Sequence, residues 1–371
     1  VKNLCQFTAV ILFFGAVLFP AHADYSSLYI FGDALSTTTN NQTGGSQYYG
    51  KRYSNGRVWV EVLAQRQGIT YEPDKNNSYY DHNSATLRTQ INSLPAANYS
   101  NDLFIVWVCN ADTFDSASDY TTGTSNAIFG QWQAANNLSQ ANHLNIITNL
   151  YAKGVRNLIL PNAVDISKVP GFNGSYNPAY SPFVGVMHAG CIDFNLKFSN
   201  TVNQAKALRP GLKIYSPDFF TLLNNVLTNA AYYGLSNYTE NGLSVAARDS
   251  TAGLAATNGY GANFVYWDYL NPTAKFHAVI ADEAQKLLPQ EAQITNITPA
   301  PGGCQLQVNN WPGGLNGFVE GVTNLALANW TTNLAGFTST NTTPSVFVPA
   351  SSPQWFYRLR IPYYPYAWSW P

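Results

Sequence analysis

The sequence predicts an α/β protein, with a parallel sheet covered by helices on both faces and a small C-terminal all-β domain after it. Three observations carry that expectation. Short apolar segments alternate with longer helical patterns from residue 25 to about residue 290, and strands separated by helices imply βαβ units. The segment Leu103-Phe104-Ile105-Val106-Trp107-Val108 is apolar without a break, as a strand buried on both faces requires. Beyond Pro289 the pattern becomes strand-like and rich in turn residues.

The elements follow in order. A short apolar strand over 27–31 stops at Gly32. Residues 57–67 are amphipathic, with Val58, Val62 and Leu63 on one helical face. The strand at 103–108 comes next, then a helix over 136–153 that stops at Gly154. A strand at 156–160 is ended by Pro161, and a helix over 191–207 ends before Pro210. A strand at 212–215 leads to Pro217-Asp218, a helix start. The last long helix is expected over 272–288, with Pro272 in its first turn. In the C-terminal part, 305–308 alternates, 312–316 is a turn, and 317–322 and 354–361 read as strands. The division is 24–290 for the α/β domain and 291–371 for the β-rich one, each large enough to bury its own core. Residues 362–371 are aromatic and Pro-rich, and read either as a packed tail or as a recognition strip.

Composition narrows the function. There are 19 Lys and Arg against 20 Asp and Glu, a net charge of −1, and 11% charged residues. A chain so poor in basic residues is not an electrostatic nucleic-acid binder. An aromatic content of 14% is not that of a disordered chain. Residues 1–23 read as a secretory signal: Lys2, an apolar run over 7–19, then Ala21-His22-Ala23 as a cleavage pattern. The run is short for a membrane span, and no later stretch is long and apolar enough for one. The expected location is secreted, periplasmic or cell surface. Val1 in place of Met points to a bacterial alternative start codon or a trimmed fragment. Removal of 1–23 takes Cys5 and leaves Cys109, Cys191 and Cys304, so at most one disulfide can form. There is no C-x-x-C pair, and His82, His143, His188 and His277 are scattered, so no metal or other cofactor is expected.

Four stretches carry chemistry. Phe31-Gly32-Asp33-Ala34-Leu35-Ser36 follows the first strand, at the carboxyl edge where open α/β sheets place ligands. Gly50-Lys51-Arg52-Tyr53-Ser54-Asn55-Gly56-Arg57-Val58-Trp59 is a glycine-bounded loop entering a helix, so its N–H groups could face an anion. Cys109-Asn110-Ala111-Asp112 ends the most buried strand, and Trp267-Asp268-Tyr269-Leu270-Asn271-Pro272-Thr273 precedes the last helix.

In this order and spacing the four stretches resemble the blocks of the GDSL or SGNH family of ester hydrolases, over about residues 25–290. The resemblance implies a flavodoxin-like α/β/α sandwich with a parallel sheet, of the SGNH-hydrolase type, and a lipase- or esterase-like hydrolase acting on a small-molecule, glycan or lipid ester. Block by block, it places the nucleophilic Ser at Ala34 and the catalytic His at Asn271. Asp268 is the residue that would orient the His. Gly56 and Asn110 are the oxyanion-hole candidates, beside the Asp33 turn. Cys109 stands where a Gly is usual, and an extra Ala111 separates Asn110 from Asp112.

Ala34 has no atom with which to attack an ester, and the Asn271 amide is not basic near neutral pH. An oxyanion hole and a pocket alone leave roughly 10³- to 10⁴-fold catalysis over water. Ser54 and His82 are the candidate substitutes, Ser54 in the oxyanion loop and His82 in the polar stretch Tyr79-Tyr80-Asp81-His82-Asn83. Ser36 points away if a helix follows Ala34, and His277 lies on another face of the last helix. Asp33, Asp112 and Asp268 could gather as metal-binding carboxylates, against the simpler reading as turn-forming and capping residues. Three functions stay open: an active hydrolase with displaced machinery, a pseudoenzyme binding an acylated glycan or lipid, and an interaction protein that binds through its β module.

Overall fold

A computed structural model describes residues 25–40, 48–175, 177–236, 261–289, 292–327, 330–349 and 354–362. The expected signal sequence at 1–23, with Cys5, and the tail beyond Pro362 lie outside the described residues.

The alternation of apolar and amphipathic segments becomes a parallel sheet. Its strands are β1 (Leu28–Gly32), β2 (Leu103–Trp107), β3 (Asn157–Ile159) and β4 (Lys213–Tyr215), in the order β1-β2-β3-β4. Registers run Leu28 to Leu103, Leu103 to Asn157 and Asn157 to Lys213. Every residue of β2 is buried, as its unbroken apolar run requires. Residues 76–79 run beside the outer edge of β1. The Asn77 N–H donates to Ile30 C=O at 2.7 Å and the Tyr79 N–H to Gly32 C=O at 3.0 Å. That is the place of the edge strand in a flavodoxin-like sheet.

Among the described residues the α-helices are α1 (Trp59–Gln67), α2 (Ser84–Ser93), α3 (Cys109–Asp119), α4 (Ser125–Ala152), α5 (Val184–Leu208), α6 (Phe219–Thr228) and α7 (Ala274–Gln285). α1 packs with α7, while α2 and α5 pack on α4, giving the two helical layers of an α/β/α sandwich. Trp59 of α1 meets Trp107 of β2 edge-on, and both rings meet Phe219 of α6. A Cβ on Gly190 of α5 would fall 2.1 Å from the Trp132 ring of α4, so only glycine lets these helices approach as they do. Among the described residues no helix is long and apolar enough to cross a membrane.

Some boundaries differ from expectation. α4 begins at Ser125, where the Thr124 hydroxyl accepts the Ala127 N–H. Its first turns already carry Ile128 and Trp132, four residues apart and both buried, ahead of the expected start at 136. α7 begins after Thr273, its cap, which leaves Pro272 ahead of the helix. No helix directly follows Ala34: residues 34–36 form a turn, and the next helix is α1.

The C-terminal region is a small antiparallel module. β5 (Gln293–Ala300), β6 (Gly303–Asn309) and β9 (Ser345–Pro349) form one sheet in the order β5-β6-β9. β7 (Asn316–Val322), β8 (Thr331–Thr338) and β10 (Phe356–Arg360) form the other, in the order β10-β7-β8. Leu306, Val308, Trp311, Val319, Val346 and Val348 fill the space between them. Arg66 of α1 ties the module to the α/β part. Its Nε–H donates to Asp282 of α7 at 2.6 Å and its Nη1–H to the Gly313 carbonyl at 2.7 Å.

Candidate functional site

The strands β1, β2 and β3 end at the same edge of the sheet, and the candidate site is built there. Gly32 closes β1 in a crowded turn, where a Cβ would lie 2.9 Å from Ser36 and 3.0 Å from the Ser78 hydroxyl. Asp33 then folds the chain back. Its carboxylate accepts the Leu35 N–H at 2.9 Å, and its carbonyl accepts the Ser36 N–H at 3.1 Å. The turn leaves Ala34 on the wall of a cavity of about 320 Å³. Asp33, Asn110, Ala111, Leu270 and Asn271 share that wall, with Leu35, Val164, Ile166 and Val169. Among the described residues Tyr53, Tyr80, Asp81, Phe114 and Asp115 also line it, and Tyr80, Asp81 and Asp115 are exposed. A small apolar pocket shares Leu35, Val164, Val169 and Leu270 with it.

Asn271 is held as the resemblance would hold a His. Its Nδ2–H group donates to both oxygens of Asp268 at 3.0 Å each. Asp268 also accepts the Leu270 and Asn271 N–H groups and the Tyr48 hydroxyl at 3.0 Å. Burial pushes the Asp268 carboxyl above its ordinary range, and these donors pull against that shift. The Tyr48 hydroxyl is pushed up by burial and by the Asp268 charge. Tyr48 was not singled out in the sequence, because a tyrosine in a tyrosine-rich loop carries no mark of its partner.

Asn110 lies in the first turn of α3, 7% exposed. Its Oδ1 accepts the Val164 N–H at 2.9 Å, and its Nδ2–H group is buried without a partner. The Nδ2 atom itself is sealed from solvent, so Asn110 reaches the cavity wall without presenting this donor to it. Cys109 to Asp119 form one regular helix, and of this stretch Asn110 and Ala111 line the cavity while Cys109 and Asp112 do not.

Other candidates lie away from the cavity. Gly56 is buried in the loop before α1 and does not line the wall. Ser54 is fully buried, and its hydroxyl donates to the Pro272 carbonyl at 3.0 Å, tying its loop to the Asp268 segment. Ser36 accepts the Trp59 Nε1–H at 3.0 Å. His82 packs on the Tyr79 ring, does not line the cavity, and burial lowers its pKa. His277 is buried in α7, and burial pushes its pKa down to about 3.

The carboxylates serve turns and caps. Asp112 accepts the Ser84 N–H and the Ser139 hydroxyl. Burial pushes Asp33 up to about 7, with the Leu35 N–H lowering it and the Asp112 charge raising it. Among the described residues no group of three or more His, Cys, Asp or Glu is arranged to hold a metal ion. Cys109 lies 3.6 Å from the His143 Nε2, with Asp112 beyond the ring, but burial pushes that thiol well up and it does not line the cavity. Cys109, Cys191 and Cys304 are all buried free thiols.

A family model described as GDSL-like Lipase/Acylhydrolase matches residues 28–284. Among solved structures, the chain is similar to an acetylxylan esterase from Geobacillus stearothermophilus at 13% identity, over 72% of this chain and 95% of that one, with a TM-score of 0.42. It is also similar to a phospholipase A1 from Streptomyces albidoflavus at 10% identity, over 71% and 99%, with a TM-score of 0.41. An extracellular lipase from Streptomyces rimosus matches at 11% identity, over 71% and 99%, also at 0.41. A search of curated proteins finds no match.

Proposed function

The chain belongs to the GDSL-like lipase/acylhydrolase family, and from that premise we propose that it is a secreted member that binds an ester or acyl ligand without cleaving it. One observation carries the reading. Ala34 and Asn271 share the wall of one cavity, and among the described residues that wall has no Ser, Thr, Cys or His.

Acyl transfer needs a nucleophile and a base acting as a unit. At Ala34 there is a methyl group where an oxygen would attack. At Asn271 the amide nitrogen donates to Asp268 and has no basic lone pair to take a proton. The Asp268–Asn271 pair keeps the hydrogen-bonded shape of a carboxylate–imidazole pair and none of its proton chemistry. What this chain's residues can still do is bind. Leu35, Val164, Ile166 and Val169 give an apolar wall for an acyl group, with Asn110 and Asn271 beside it. The signal sequence over 1–23 belongs to the same proposal, with the α/β domain at 24–290 as the binding domain and 291–371 as a separate β module.

The test is hydrolysis of a short-chain nitrophenyl ester by the chain from Asp24 onward. The expected result is no turnover beyond roughly 10⁴-fold over water, the level that binding and an oxyanion donor alone can reach. A turnover number of about 1 s⁻¹ or more, abolished by Ser54→Ala or His82→Ala, would instead mark an active enzyme with displaced machinery.

A further inference from the structure

The β module has a cleft of its own, of about 600 Å³, on the size scale of small-molecule sites. Ile294 and Ile297 of β5 lie on its wall, with Leu325, Trp330, Trp355 and Tyr357. Ile297 is 51% and Leu325 53% exposed. The Trp355 and Tyr357 rings stack with centroids 6.4 Å apart and planes 11° apart. Aliphatic and aromatic surface left wet in a cleft favours an apolar ligand that would cover it.

A fixed positive charge stands beside this cleft. Arg358 and Arg360 are two residues apart on β10, so both project from one face of the sheet. Each donates its Nε–H to Glu320 of β7 at 2.8 Å, and Glu320 is buried. Two guanidinium groups share one carboxylate, so the trio keeps a net positive charge. The Arg358 guanidinium carbon lies 4.3 Å from the Trp330 ring centroid, and that of Arg360 4.5 Å from the Phe318 centroid. These stacks hold both cations in place. The Arg358 side chain is 53% exposed, and its Nη–H groups have no hydrogen-bond partner among the described residues. Trp330 joins the two features, because the ring that carries this guanidinium also lines the cleft.

We propose that the cleft binds a single-chain fatty carboxylate. Its chain covers Ile297, Leu325 and Trp355, and its carboxylate accepts from the Arg358 Nη–H groups. A neutral lipid would leave the guanidinium unused, and a small anion would leave the apolar wall wet. The site belongs to the β module, so the inference stands apart from the reading of the α/β cavity.

The probes are decanoate, uncharged 1-decanol of the same chain length, and butyrate. Each is titrated calorimetrically into the full chain at pH 8 and low salt. Decanoate is expected to bind about tenfold or more tighter than 1-decanol, as a charge-assisted hydrogen bond provides. It should also bind more than about tenfold tighter than butyrate, because each buried methylene adds affinity. Arg358→Gln should bring decanoate down to the level of 1-decanol. Ile297→Ser with Leu325→Ser, both at exposed positions, should weaken the two ten-carbon probes alike and leave the melting temperature near that of the parent. Should Arg358→Gln fail to fold, the parent's preference for decanoate over 1-decanol, and its loss in about 1 M salt, read the same charge. No binding of decanoate, equal binding of decanoate and 1-decanol, or decanoate binding unchanged by the double Ser substitution overturns the proposal. Flotation of the chain with phosphatidylglycerol vesicles in the absence of decanoate binding would assign the face to a membrane surface and overturn it as well.

Discussion

Arg66→Met is expected to cost about 3–5 kcal/mol of stability, as breaking a buried ion pair from one side does. The Arg66 guanidinium donates to Asp282 at 2.6 Å, and the Asp282 side chain is fully buried. Methionine keeps the stem's volume and removes the charge, so the Asp282 carboxylate stays buried and loses its Arg66 partner. The Gly313 carbonyl loses the 2.7 Å bond from Arg66 as well, and with it a tie between α1 and the β module. A Cβ on the neighbouring Gly314 would approach the guanidinium at 2.8 Å, which shows how closely the turn is seated on it. Urea unfolding followed by tryptophan fluorescence measures the loss. Arg66→Met combined with Asp282→Leu should recover most of it, because the cost lies in keeping one half of the pair buried after the other is removed. A loss below about 1 kcal/mol for the single change would show that the pair does not anchor these elements.

Asp33→Asn is expected to raise stability at pH 8 relative to pH 4.5. The Asp33 carboxyl is raised from 3.8 to about 7 in the fold, chiefly by burial. Between those values the unfolded chain has lost the proton and the folded chain still holds it. Folding then binds protons, so stability falls as pH rises through that window and levels off above it. The shift corresponds to roughly 4 kcal/mol at most. Asparagine keeps an acceptor for the Leu35 N–H and cannot ionise. The difference between variant and parent in urea unfolding at pH 4.5, 6 and 8 cancels the other titrating groups. It should grow in favour of the variant toward pH 8. A difference that is flat with pH contradicts a carboxyl held neutral by its burial.

Much of this architecture was readable from pattern alone. β2 is an unbroken apolar run because both of its faces are covered, and β1, β3 and β4 stop within two residues of their turn signals. The candidate site was readable because three of its stretches follow strands or precede α7 and so converge on one sheet edge. What escaped notice depends on long-range contacts. α2 has few apolar residues and starts on the Asn83 cap, so it resembles a loop. The role of Ser54 depends on a carbonyl 218 residues away, and that of Tyr48 on a carboxylate 220 away.

The central claim is that the cavity keeps its ligand-binding wall while lacking the nucleophile and the base. Its most direct test is intact-mass measurement after exposure to a short-chain organophosphonate. The parent, Ala34→Ser, Asn271→His and the combined Ala34→Ser/Asn271→His variant are treated side by side. The account predicts one adduct per chain on the combined variant and none on the parent or either single variant, because nucleophile and base act together. A labelled parent, or a combined variant no more reactive than the singles, would contradict it.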